Sequence, residues 1–524
     1  MKQRIVGLLF FTLLLGHIAL PQERLDEPVI AQIKTEGLQR SQAMQTLAYL
    51  TDVFGPRLTG SPQLKRAQDW ARDKMISWGL SNSKLEPWGT FGAGWNIERF
   101  SVEMTAPTYD RLNVYPLAWS PGTNGVISGS PTVVNIRTKA DFDKYRGKLK
   151  GAIVFRGTFA RNSAESRFAT PSKRFTDEEL AKANAATDPV GDGINGGPTT
   201  TFWDEENDWQ AGLAAQNAIT DFLKSEGIAA LVEPSRRPNG VLGVQGFYTF
   251  DPNKNVPAFT MAREQYARIV RLTELNIPVK LELNLQTNTQ PSSTANNVIA
   301  EIPGTDPKLK DEIVLLGGHF DSWHSGTGAI DNGAGCIAVM EAMRILKAIG
   351  AKPRRTIRVA LWDGEEQSYF GSIGYVQEHY GDPSTIKLKP EHEKLAAYYN
   401  LDNGSGKIRG IFLQGNEATR PIFESYFKPF NYLGASTISI LNSGGTDHMA
   451  FDSVGLPGFQ FIQDPLDYDS RIHHTNLDVL EAAIEEDIKI NAVIIAAIAY
   501  QTAIRDEKLP RKALPKPQAA VVTK

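Results

Sequence analysis

Five side chains able to ligate a metal, two imidazoles and three carboxylates, fall where apolar runs of the sequence end. Ile313-Val-Leu-Leu-Gly-Gly318 runs into His319-Phe-Asp321, Thr356-Ile-Arg-Val-Ala-Leu-Trp362 into Asp363-Gly-Glu-Glu366, and Leu395-Ala-Ala-Tyr-Tyr-Asn-Leu401 into Asp402. Asp331 lies in Gly328-Ala-Ile-Asp-Asn-Gly-Ala-Gly335, where the glycines let backbone come close to a bound ion. His474 lies in Arg471-Ile-His-His-Thr-Asn-Leu-Asp478, after the strand-like Gly458-Phe-Gln-Phe-Ile462. Imidazole nitrogen and carboxylate oxygen suit zinc, and one bridging aspartate, Asp331, lets five ligands serve two zinc ions with room left for a shared hydroxide. Adjacent side chains diverge, so Glu366 can ligate while Glu365 stays free as the general base of a hydrolysis.

A lone Asp or His at a strand end usually caps a helix or faces solvent, so the joint placement of these residues carries the reading. Asp321, two positions after His319, is expected to hold the other ring nitrogen of that histidine. Asp447 and His448, in Gly444-Gly-Thr-Asp-His-Met449, together with His473, are further candidates for supporting the site, orienting substrate or stabilising an oxyanion. Cys336 is the only cysteine, so it forms no internal disulfide, and its apolar surroundings predict a small buried filler.

These residues converge only if a sheet presents the carboxyl ends of several strands along one edge, where open α/β sheets bind ligands. The pattern from Asn297 onward predicts that arrangement. Strands at 297–302, 313–318, 356–362 and 395–401 alternate with helices at 333–349, 368–379 and about 479–503. The expected fold class is α/β, a helix-flanked mixed and largely parallel sheet with an inserted β-rich domain. Short apolar runs broken by Gly, Pro and charge mark the insertion, and the polar stretch Arg161 to Trp209 within it reads as a long surface excursion covering a cleft. Before it, helices are expected at 42–50 and 61–79, joined by Phe54-Gly-Pro-Arg-Leu-Thr-Gly-Ser61.

The sequence opens Met1-Lys-Gln-Arg, then an apolar run to about Leu20, then Gln22-Glu-Arg, the layout of a secretory signal peptide. The expected organisation is a leader at 1–20, a first segment of the main domain at 21–115, the insertion at 116–290, the main segment at 291–508 and a flexible tail at 509–524. No segment after the leader is expected to span a membrane, and the location is secreted or periplasmic. In 524 residues, 56 Lys and Arg face 59 Asp and Glu, a net charge of -3 that argues against nucleic acid and for a small or neutral partner.

At these residues the chain resembles the co-catalytic zinc exopeptidases, which include bacterial leucyl aminopeptidase, plasma glutamate carboxypeptidase (carboxypeptidase Q) and glutamate carboxypeptidase II. The resemblance rests on His319-Phe-Asp-Ser322, Asp331 before its glycine-rich turn, Glu365-Glu366, Asp402 and His474 to Asp478, and reaches back to Phe54–Ser61. It implies a phosphorylase/hydrolase-like sandwich with an inserted protease-associated domain, for which Gly147-Lys-Leu-Lys-Gly-Ala-Ile-Val154 is the best piece. It assigns one zinc to Asp331, Glu366 and His474 and the other to Asp331, Asp402 and His319, with Glu365 as proton shuttle. His473 departs from glutamate carboxypeptidase II, which has a tyrosine there that helps stabilise the intermediate. The implied substrate is a peptide or dipeptide cut at a terminal bond, by an aminopeptidase or dipeptidase, with a carboxypeptidase as the alternative. A homodimer is kept beside a monomer. A single-zinc glutaminyl-cyclase-like acyltransferase and an inactive receptor-like homologue are the remoter readings, disfavoured by the complete ligand set with Glu365.

Overall fold

The computed structural model describes residues 23–157, 173–194 and 199–517, so the leader expected at 1–20 lies outside the described residues. Eight strands form the main sheet: β1 (Ser81–Phe91), β2 (Ser293–Ile302), β3 (Ile313–His319), β4 (Thr356–Trp362), β5 (Leu395–Asn400), β6 (Ile408–Phe412), β7 (Thr437–Ser439) and β8 (Gly458–Gln463). Their order is β1-β2-β4-β3-β5-β8-β6-β7. The central four, β4, β3, β5 and β8, run parallel, while β2 is antiparallel to β4 and β6 antiparallel to β8.

The parallel strands are mostly apolar because both faces are covered. In β3, Val314 and Leu316 join one core and Leu315 the other, and in β4 Ile357, Val359 and Leu361 oppose Ala360 and Trp362. The first face packs on α1 (Glu27–Gln39), α2 (Pro62–Ser77), α4 (Gly335–Ala348) and α6 (Glu485–Ile504), and the second on α5 (Phe370–His379). α1 was not foreseen; buried Arg344 of α4 reaches both Glu36 of α1 and Glu341, each at 2.8 Å. α6, 20 residues, is long and apolar enough to cross a membrane, contrary to the sequence expectation. It is a core helix, buried on nearly every side against α4, α1 and the sheet.

β1 and β2 continue beyond the main sheet as Gly94–Ala106 and Lys280–Gln290, which pair antiparallel in a four-stranded sheet with Asp110–Arg111 and Ile127–Gly129. Hydrogen bonding therefore leaves the main sheet near 92 and returns near 292, whereas 116 and 290 were expected. A five-stranded sheet follows in the order Val114–Pro116, Ala258–Met261, Ala230–Pro234, Ile153–Arg156, Pro131–Val134. Its inner face (Phe155, Val232, Phe259) meets Val102, Leu281 and Leu283 of the four-stranded sheet, and α3 (Phe202–Ser225) covers the other face through Phe222 and Leu223.

Two expected surface segments are held down. Within the excursion, Phe175, Leu180, Ala183 and Ile194 pack on Phe412, Leu441 and Ile462 of the main domain, and Arg174 pairs with Asp464 (2.8 Å) and Asp487 (2.7 Å). In the tail expected to be flexible from 509, Leu509 is buried, Arg511 donates to the main-chain oxygens of His392 and Leu395, and Lys512 donates to that of Gln414.

Candidate metal centre

The parallel order β4-β3-β5 brings the carboxyl ends of these strands side by side, and the residues that follow them meet. His319 Nε2 lies 3.2 Å from both Asp331 Oδ1 and Asp402 Oδ1, and 3.9 Å from Glu365 Oε2. On the other side of Asp331, His474 Nε2 lies 3.5 Å from Asp331 Oδ2 and 2.9 Å from Glu366 Oε2. Each oxygen of Asp331 thus faces a different histidine.

These spacings fit metal ligation. Two donors about 2.0–2.1 Å from one zinc stand about 3.3 Å apart at a tetrahedral angle. Asp331 Oδ2 and Glu366 Oε1 are also buried with no hydrogen-bond partner among the described residues, a state that a cation relieves. Donor atoms of His319, Glu365 and Asp402, of His319, Asp331 and Glu366, and of Asp331, His473 and His474 gather as three groups able to hold an ion.

Electrostatics follow from crowding buried carboxylates. Burial pushes the Glu365 carboxyl well above the usual carboxylate range, with Asp402, Asp447 and Glu366 adding to it against the opposing pull of His319. Glu366 is raised in the same way, by burial and then by Asp331. Burial draws the His319 imidazole down, but the nearby carboxylates of Asp402, Glu365, Asp321 and Asp331 more than reverse this and hold it well above its ordinary value.

A shell of hydrogen bonds fixes these groups. His319 Nδ1 lies 3.1 Å from the main-chain oxygen of Asp321, so Nδ1–H donates there and Nε2 keeps its lone pair for the centre. The expected partner is therefore the Asp321 carbonyl; its carboxylate, 3.6 Å from Nδ1, instead accepts the main-chain N–H groups of Glu365 (3.2 Å) and Glu366 (3.3 Å) and the Thr59 hydroxyl (2.9 Å). Asp478 accepts the N–H of Ile330 at 2.6 Å and of Asp331 at 3.3 Å. Arg57, fully buried, donates to the carbonyls of Phe320 (2.7 Å), Thr327 (2.9 Å) and Gly328 (2.7 Å), binding the His319 loop to the Asp331 turn.

The centre opens into a cavity of about 890 Å³ whose wall includes His319, Asp331, Glu365, Glu366, Asp402 and His474. His473 is in that wall too, stacked on Tyr468 with ring centroids 4.9 Å apart; burial and the neighbouring His474 lower its pKa to about 4. His448 is not in the wall. Its Nε2 lies 2.9 Å from the Ser443 carbonyl oxygen and against the Gln414 amide, so it serves the core, and the substrate role expected of it fails on geometry. Asp447 is buried behind Glu365, outside the cavity wall, its carboxyl pushed up to about 8 by burial, with Asp402 and Asp321 adding against the pull of His319.

Residues of the insertion complete the cavity, some from the Arg161 to Trp209 excursion expected to cover a cleft and others, in Val241–Phe250, missed by sequence reasoning. Val241–Phe250 lies along the His474 loop: Val244 N–H donates to the His474 carbonyl (2.9 Å), Gly243 bridges Thr475, and Gln245 Nε2 lies 3.1 Å from His474 Nδ1. At the start of α3, Glu205 accepts from the Tyr369 hydroxyl (2.8 Å) and the Gly445 N–H (3.1 Å), which roofs the cavity with α3.

Residues 297–499 match the model of peptidase family M28. Over almost the whole chain the sequence is similar to carboxypeptidase Q of Bos taurus, 26% identical over 486 residues that cover 92% of this chain and 89% of that one. The human carboxypeptidase Q is 25% identical with the same coverage of both chains. Among solved structures, a peptidase M28 precursor from Shewanella amazonensis superimposes with a TM-score of 0.66 at 25% identity, covering 93% of this chain and 98% of that one. A zinc aminopeptidase from Bacillus subtilis shares the fold with a TM-score of 0.56 at 17% identity, covering 88% and 95%. The matched region carries the gathered ligands at the carboxyl edge of its sheet, so over residues 297–499 the chain is similar to peptidase family M28, and it is a metal-dependent exopeptidase.

Proposed function

We propose that the chain is a two-zinc aminopeptidase or dipeptidase. His319 and Asp402 hold one ion, Glu366 and His474 the other, and Asp331 belongs to both. The carrying observation is the charge of the cavity wall. Besides Asp331, Glu365, Glu366 and Asp402 it contains Glu205, Glu206, Asp208 and Asp469, and among the described residues no Lys or Arg. A free amine finds several counter-charges there, whereas a free carboxylate finds no cationic side chain to pair with.

When bound, the zinc pair supplies Lewis acidity to the scissile carbonyl and lowers the pKa of water nearby. Glu365, beside His319 and not needed as a ligand, takes the proton from the attacking water and delivers it to the departing amine. Asp321 fixes the Glu365-Glu366 backbone so that one carboxylate faces the ions and its neighbour the reacting bond. His473, which lines the cavity, would donate a hydrogen bond to the developing oxyanion in this reading. In this reading the segments up to about 91 and from about 293 form the peptidase unit, the insertion roofs it, and the apolar run before Leu20 directs export.

The similarity to proteins named carboxypeptidase Q keeps the opposite direction of attack as the alternative. One experiment separates them. A peptide set with free, amino-blocked and carboxyl-blocked ends is digested before and after chelation and zinc replacement. Cleavage lost on amino-blocking, kept on carboxyl-blocking and restored by zinc is expected; loss on carboxyl-blocking alone reverses the direction.

A further inference from the structure

A second cavity, of about 340 Å³, lies beside the catalytic one, within the range of about 300–1,000 Å³ typical of small-ligand sites. Glu206, Trp209, Tyr248 and Ser368 line both cavities. Trp209 and Tyr248 meet edge to face with ring centroids 4.3 Å apart, so this pair is the partition. Beyond it the wall is aromatic, built from Phe202, Trp203, Phe250 and Phe370. Phe250 and Phe370 hold one another edge to face at 6.1 Å.

Two polar groups in that wall have no task within the fold. Gln367, which directly follows the Glu365-Glu366 pair, is fully buried, and neither its amide oxygen nor its amide nitrogen has a partner among the described residues. The Trp203 indole N–H is likewise buried and unpartnered among them. Buried polar groups are almost always satisfied, and an amide that presents both a donor and an acceptor matches another amide. Aromatic walls match a flat or large apolar side chain.

We infer that this cavity is a second substrate subsite, which takes an aromatic or large apolar side chain of the peptide while Gln367 pairs with the main-chain amide beside it. It rests on the exopeptidase reading above, since its place one residue from the Glu365-Glu366 pair puts its occupant next to the reacting bond. The position of α3 on one side and α5 on the other means that the insertion and the peptidase unit select this side chain together.

The test is binding of N-acetyl-phenylalaninamide, an aromatic side chain between two amides, to the full chain, followed by calorimetry. Leu213→Trp on α3 and Gln377→Trp on α5 each fill the cavity from its rim, on separate elements, so one poorly folded variant leaves the other to decide. Binding to the wild type, weakened at least tenfold in the filled variants, and at least tenfold weaker for N-acetyl-alaninamide, is expected. The same variants should lower the ratio of kcat/KM for Leu-Phe over Leu-Ala at least tenfold. No binding to the wild type, equal binding to the filled variants, or an unchanged ratio overturns the subsite. Binding needs no turnover, so failure of the exopeptidase reading shows separately, as absent hydrolysis of free peptides.

Discussion

The side-chain amide of Gln245 lies 3.1 Å from Nδ1 of His474, joining the insertion to the metal centre through one hydrogen bond. An amide accepts through oxygen and donates through nitrogen from the same space. With the amide turned so that its oxygen takes the place of Nε2, Gln245 would accept Nδ1–H and leave the His474 Nε2 lone pair for Glu366's side of the centre. Outer partners of this kind are worth about 10- to 100-fold in metal affinity or activity. Gln245→Leu should therefore weaken the zinc held by His474 by about that factor, read by competition with a chromophoric chelator. Unchanged affinity would show that the Val244–His474 main-chain contact alone positions the ring.

Arg57 should resist even conservative replacement. Its guanidinium serves three carbonyls in three directions, which a lysine ammonium cannot reproduce from one point. Each carbonyl left buried and unpaired costs about 1–3 kcal/mol, so Arg57→Met should lose about 3 kcal/mol or more in urea unfolding. Because the two joined loops carry His319 and Asp331, zinc content should fall with it. A loss within about 0.5 kcal/mol, the size expected of a surface change, would remove Arg57 from this role.

The contrast between Gln245 and Asp402 shows what sequence can convey. Asp402, like His319 and Glu366, stands just past an apolar run, so the strand that positions it announces it. Gln245 is 229 residues from its partner, and nothing in Val241–Phe250 marks it out. His448 misleads for the opposite reason: it stands near the ligands in the pattern, yet Ser443, five residues earlier, already takes its ring nitrogen. The excursion reads as solvated because its average is polar, while a few residues, Phe175, Leu180 and Ile194, do the packing. Average composition hides such anchors, whereas the parallel strands β3, β4, β5 and β8 were legible because nearly every residue in them is buried.

Glu365→Gln preserves shape and removes the proton acceptor. Since Glu365 is not assigned to either ion, zinc should remain at two per chain by elemental analysis, while kcat falls by about 10²- to 10⁴-fold, the usual worth of a general base. Loss of one zinc instead would make Glu365 a ligand, in keeping with its closeness to His319 and Asp402. Activity near that of the wild type would shift the proton transfer to another group.

Asp331, Glu365 and Glu366 are buried with the half-buried Asp402 against them, and no Lys or Arg lines the cavity they share among the described residues. Burial and then mutual repulsion raise the proton affinity of Glu365 and Glu366, and the same crowding should destabilise the fold whenever no cation stands between the carboxylates. Chelation should therefore lower the unfolding midpoint, and added zinc should restore it in proportion to the logarithm of its free concentration. Binding to the native state alone adds about 2.7 kcal/mol at 100 times Kd. Calorimetry across a zinc titration measures this directly. A midpoint indifferent to chelator would mean that the carboxylates share protons instead of ions, and the two-zinc reading would fail with it.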